Sequence, residues 1–196
     1  MHRLPNILSG VRIVLAPVFL FLFFQDDFVM KAIGLGVYII AAITDYYDGY
    51  FARKYKVFSD FGAFLDPLAD KFLTFSGFIV LPFIALDQFP WWAIILILIR
   101  DTVITVLRVY MKRKKVNMQT RFTAKIKTTI QMVFLYIGLA VGLFQGVDFF
   151  AGVWVEWILG TDILLYLMIF VTGVTVYSGI EYLVVNKDHL KVSAST

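Results

Sequence analysis

The sequence predicts an all-α integral membrane protein with six transmembrane helices and both termini on the cytoplasmic side. That reading rests on three features. Apolar residues make up 60% of the 196 and charged residues 16%, apolar runs recur at the length of a membrane span, and basic residues gather on alternate links between those runs. Soluble domains carry about 45–50% apolar and about 25% charged residues. With a mean hydropathy of +0.82, the chain has more apolar surface than a small water-soluble core can hide, so bilayer is its natural solvent.

The runs are Ser9–Phe24, Ala32–Phe51, Phe61–Leu86, Trp91–Met111, Thr123–Phe144 and Asp162–Val185. With their ends drawn to within several residues, each is long enough for a helix to cross a hydrocarbon core of about 30 Å. The first follows Arg3 and Arg12 and has the flanks of a signal sequence, but Gln25, Asp26 and Asp27 stand where small cleavage-site residues would be. It is read as a retained span. Trp91, Trp92, Trp154 and Trp157 fall near span ends, as interfacial aromatics do.

Basic residues then set the orientation. Arg3 and Arg12 lie at the N-terminus, and Arg53, Lys54 and Lys56 between the second and third runs. The run Lys112–Lys115 with Arg121 lies between the fourth and fifth, and Lys187 and Lys191 at the C-terminus. The other links carry Asp26, Asp27, Asp87, Asp148 and Glu156, with Lys31 their only base. The positive-inside rule therefore puts both ends in the cytoplasm. The formal charge of +4 is placed for an anionic leaflet or phosphorylated substrates, and no nucleic-acid partner is expected. Without cysteine, disulfides and thiolate zinc sites are excluded. No repeat or soluble segment divides the chain, so residues 1–196 are read as one membrane-embedded catalytic domain.

In this orientation unusual charges from four spans meet at one depth. Asp45 and Asp48 approach the cytoplasmic end of the second span, and Asp66 and Asp70 open the third. Arg108 ends the fourth, and Lys125 and Lys127 begin the fifth. Snorkelling at the boundary would also place Arg108, Lys125 and Lys127 there. Arg100 and Asp101 fall near mid-span, where a buried structural ion pair is expected.

Residues 45–70 carry the chemistry. On a helix, Asp45, Asp48, Gly49 and Ala52 share a face, as do Gly62, Asp66 and Asp70 on the next. Four carboxylates together repel one another and are costly near a bilayer. Divalent cations answer both problems, and an all-oxygen donor set suits Mg²⁺ or Mn²⁺. A pair of such ions can bridge a pyrophosphate and stabilise an in-line displacement. Arg53, one turn beyond Gly49, suits the same phosphates. A divalent-cation transporter could use the same aspartates, but it would not specifically need Gly49, Ala52, Arg53 and Gly62.

The segment satisfies D-x2-D-G-x2-A-R-x8-G-x3-D-x3-D from Asp45 to Asp70. This eight-position pattern resembles the signature of the CDP-alcohol phosphotransferase family, whose members are six-span membrane enzymes, commonly homodimers, with a dinuclear metal site facing the cytoplasm. The resemblance implies Asp45, Asp48, Asp66 and Asp70 as metal ligands for two Mg²⁺ or Mn²⁺ ions, with Asp70 also the catalytic base. It implies Gly49, Ala52, Arg53 and Gly62, together with Asn6, as the CDP-binding residues.

Shorter segments are similar to the family members that make phosphatidylglycerophosphate. These are Leu4–Leu8 with Arg12, Leu65–Lys71, Arg100-Asp101, Leu107-Arg108, Lys125–Thr128 and Ser178–Tyr182. A departure is Ala124, where relatives often have glycine. The resemblance implies transfer of a phosphatidyl group from CDP-diacylglycerol to sn-glycerol 3-phosphate, releasing CMP. Arg108, Lys125 and Lys127 would take the acceptor phosphate. Inositol phosphate, serine or phosphatidylglycerol as acceptor are the neighbouring alternatives. A bacterial plasma membrane, with the site on its cytoplasmic face, is the expected location.

Overall fold

A computed structural model describes the backbone over residues 4–55, 60–114, 119, 122–148 and 150–187, and side chains over 9–44, 69–111, 114, 119, 122–148 and 150–187. Among the described residues there are seven α-helices and no strand: α1 (Leu4–Phe23), α2 (Phe28–Tyr55), α3 (Asp60–Ile84), α4 (Trp91–Arg113), α5 (Phe122–Phe144), α6 (Phe150–Leu159) and α7 (Ile163–Val185). All six apolar runs coincide with helices. The seventh, α6, was not expected, since it falls between two span-length runs.

The chain divides into two compact units, 1–84 with 139–156, and 85–138 with 157–196. In the first, α1 packs on α2 and α3 around Ala16, Phe19, Phe23, Tyr38, Ala41, Phe78 and Leu81. The Phe19 ring lies 5.4 Å from Phe23 and 4.8 Å from Tyr38, tilted against both. Close approach of α1 and α2 depends on Gly34, where a Cβ would come within 3.1 Å of the Leu22 Cβ. The helix α2 starts four residues earlier than the apolar run suggests because Asp27 caps it. Its Oδ2 accepts from the Met30 N–H at 2.9 Å, satisfying one of the donors every helix start leaves open. At the far end of α3, Gln145 Nε2 donates to the Ile84 carbonyl at 3.3 Å. Just beyond α5, Gly146 takes φ +74°, the left-handed conformation that glycine adopts without steric cost at a helix end.

In the second unit α4 packs on α7. The buried Gln88 amide ties the start of α7 to the end of α6. Its Nε2 donates to Leu159 O at 3.4 Å, and its Oε1 accepts from Leu165 N–H at 3.1 Å. Along α7 the hydroxyls of Thr172, Thr175 and Ser178 donate to carbonyls three or four residues back, so these buried polar groups are satisfied within the helix.

Both units present large apolar side chains outward: Phe21 is 71% exposed, Val106 61% and Phe170 56%. Exposure on this scale would be unstable in water and is ordinary against lipid. By length and composition α5 and α7 are each able to cross a bilayer, and the protein is membrane-associated. At ten residues α6, about 15 Å long, is too short to cross. Its Trp154 and Trp157 are both exposed, as suits an interfacial segment.

Candidate active site

Two helices of the first unit carry the aspartates. The backbone of α2 is helical through Asp45 to Tyr55, and that of α3 from Asp60 through Asp70. Asp45, Asp48, Gly49, Ala52 and Arg53 therefore follow one another at helical intervals, as do Gly62, Asp66 and Asp70. The two helices touch, and α1 packs on both. Side-chain geometry at Asn6, Asp45, Asp48, Gly49, Ala52, Arg53, Gly62 and Asp66 lies outside the described residues.

Asp70 is described. Its carboxylate is 42% exposed, with Lys71 Nζ 3.9 Å from Oδ2, and its backbone carbonyl accepts from Thr74 Oγ1 at 3.0 Å. The group is thus held on the rim of its unit rather than sunk in the core, where a reacting hydroxyl could not reach it. An all-carboxylate set at helical spacing on two touching helices is a donor set that fits hard divalent cations.

The basic candidates lie in the second unit, and packing there separates them. Lys125 and Arg108 are exposed, whereas Lys127 is buried. The Lys127 ammonium donates to Asp101 Oδ1, and Arg100 Nη1 donates to the same oxygen at 3.0 Å. Arg100 Nη2 continues to Ser178 Oγ on α7 at 2.9 Å. The buried Arg100–Asp101 ion pair expected from sequence is present, and it is a three-charge cluster rather than a pair. In this setting the attraction between partners offsets part of the desolvation cost that each charge would carry alone. Gly179 makes room for it: a Cβ there would lie 2.9 Å from Arg100 Cγ and 3.0 Å from Nε.

Arg108 stands over the Tyr182 ring, Cζ 5.6 Å from its centroid, within cation–π range. Two residues before Lys125, Thr123 Oγ1 donates to Glu181 Oε2 on α7. Gln119 is clasped by Asn186, whose Oδ1 accepts from Gln119 N–H at 2.9 Å and whose Nδ2 donates to Gln119 O at 3.3 Å. Sequence reading placed Tyr182 in the Ser178–Tyr182 likeness without a role of its own and did not mark Asn186. No local pattern marks an aromatic that will sit beneath an arginine 74 residues away.

A family model described as CDP-alcohol phosphatidyltransferase matches residues 2–172, a stretch that takes in the whole Asp45–Asp70 signature. The chain belongs to this family. Among similar proteins of this phosphatidyltransferase family, the CDP-diacylglycerol–glycerol-3-phosphate 3-phosphatidyltransferase of Rickettsia typhi is 33% identical over 178 residues, 91% of this chain and 95% of that protein. The protein of the same name from Bacillus subtilis is 34% identical over 207 aligned positions, 98% and 100% of the two chains. A probable phosphatidylglycerophosphate synthase of Mycobacterium tuberculosis is 39% identical over 145 residues, 72% and 65% of the two. The phosphatidyltransferase match ends inside α7, so Ser178, Glu181, Tyr182 and Asn186 lie beyond it.

Proposed function

We propose that this phosphatidyltransferase moves the phosphatidyl group of CDP-diacylglycerol to sn-glycerol 3-phosphate, giving phosphatidylglycerophosphate and CMP. The observation that carries the reading is near end-to-end similarity to relatives named for that reaction, one of them aligned over 98% of this chain, in a chain with an unbroken aspartate signature.

The carboxylates of Asp45, Asp48, Asp66 and Asp70 would hold two Mg²⁺ or Mn²⁺ ions. When bound, such ions neutralise pyrophosphate charge and stabilise the departing CMP. Gly49, Ala52 and Gly62 would let the CDP group approach the helix backbones, with Arg53 on its phosphates and Asn6 beside them. Arg108 and Lys125 would take the acceptor phosphate, with Lys127 supporting from its place on Asp101. Asp70 accepts the proton of the glycerol phosphate hydroxyl. The freed oxygen forms a bond to the β-phosphorus, and the bond from that phosphorus to the CMP oxygen breaks. Positioning and charge neutralisation supply most of the acceleration.

The same reading has residues 1–196 act as one catalytic domain of six spans with both termini cytoplasmic. It forms a homodimer in a bacterial plasma membrane with the site on the cytoplasmic face. The test is CMP release by purified protein in detergent with Mg²⁺, CDP-diacylglycerol and single acceptors. Release should depend on glycerol 3-phosphate. Equal release with inositol phosphate would sink the acceptor assignment, and no release with any acceptor would sink the reaction.

A further inference from the structure

Tyr182 and the C-cap residue Asn186 follow Ser178 at steps of four residues, and Glu181 lies three beyond Ser178, which puts them on one stripe at the end of α7. Each meets a segment that bears basic residues. Ser178 holds Arg100 at 2.9 Å, Glu181 takes the Thr123 hydroxyl just ahead of Lys125, and Tyr182 lies under Arg108. Asn186 clasps Gln119 and also donates to Tyr182 O at 2.8 Å. The cleft between Gln119, Thr123, Ser178, Glu181 and Tyr182 has a volume of only about 10 Å³, room for one water at most.

We infer that Tyr182 is a positioning residue for acceptor binding, its buried ring holding the Arg108 guanidinium ready for the acceptor phosphate. The inference rests on the proposed role of Arg108. Tyr182 is 4% exposed, so its ring is fixed by packing, whereas Arg108 is exposed and long. A flexible arginine loses rotamer freedom when it grips a phosphate. A ring that already confines it lowers that loss, which is how preorganisation raises affinity. An aromatic ring attracts the guanidinium without taking up its strong N–H donors, which keeps them for bidentate phosphate contact.

The test is steady-state kinetics of full-length enzyme in detergent with Mg²⁺, varying each substrate in turn. Tyr182→Leu should raise the glycerol 3-phosphate KM about threefold to tenfold and leave the CDP-diacylglycerol KM near its original value. Tyr182→Phe, which keeps the ring, should restore the lower KM. Arg108→Ala should raise the same KM, and adding Tyr182→Leu to it should raise it no further, because the ring acts only through the arginine. Should Tyr182→Leu not purify folded, Tyr182→Met carries the same comparison. A raised KM in Arg108→Ala beside an unchanged KM in Tyr182→Leu overturns the positioning role alone, as do additive effects in the double variant. An unchanged KM in Arg108→Ala removes Arg108 from the acceptor site, and this inference with it.

Discussion

Lys127 and Asp101, on α5 and α4, form a contact in which both side chains are nearly excluded from the surface: 4% of the lysine and 2% of the carboxylate are exposed. The same carboxylate oxygen holds Arg100 at 3.0 Å. One buried anion therefore organises two cations from two helices, and a third helix joins through Ser178.

Removing that anion should be costly. Asp101→Ala leaves the buried Lys127 and the part-buried Arg100 without their shared anion, and loss of one member of a buried ion pair costs about 3–5 kcal/mol. The apparent Tm of the protein in detergent should fall sharply. An unchanged Tm would mean that the cluster contributes nothing to the fold.

Gly179 and Gly173 lie six residues apart on α7 and should respond to alanine in opposite ways. At Gly179 the new methyl would meet Arg100 Cγ at 2.9 Å, on the stem of a side chain whose guanidinium is already held by Asp101 and Ser178, whereas nothing lies within 4 Å at Gly173. Gly179→Ala should destabilise by about 1–3 kcal/mol, the range for overpacking. Gly173→Ala should be neutral or stabilising by up to about 1 kcal/mol through helix propensity. Thermal unfolding of both variants side by side checks this, and equal shifts would contradict it.

Asp70→Asn keeps the size and hydrogen-bonding reach of the side chain but cannot accept the acceptor's proton. Turnover should fall by at least about 10²-fold, the lower end for loss of a general base, with an unchanged Tm. CMP release and thermal unfolding on the same preparation measure both. Retained turnover would move the base elsewhere.

Chelation of divalent metal by EDTA should stop CMP release, and Mg²⁺ or Mn²⁺ should restore it, as hard oxygen donors require. Full activity in excess chelator would contradict a metal role for the aspartates.

The Gln88 amide should matter out of proportion to its size. Gln88→Ala leaves the Leu165 N–H and the Leu159 carbonyl without this partner at a part-buried site. Such losses cost about 1–3 kcal/mol. The prediction is a lower Tm, with both substrate KM values unchanged.

Hydrophobic runs, the positions of the bases and the D-x2-D-G-x2-A-R-x8-G-x3-D-x3-D spacing were enough to reach an all-helical membrane protein and its family. These signals are local or periodic: a helix repeats every few residues, and a motif carries its ligands within 26 positions. The helix α6 escaped because its ten residues fall short of a span. The start of α2 at Phe28 was missed because an Asp27 cap, not hydrophobicity, sets it. Which base is buried and which is exposed was decided only by packing. Arg108, Lys125 and Lys127 read alike along the chain, yet Asp101 buries Lys127 while Arg108 is left over Tyr182. A charge acquires its partner from helices that meet in space, and spacing along one helix carries no record of what the next will bring.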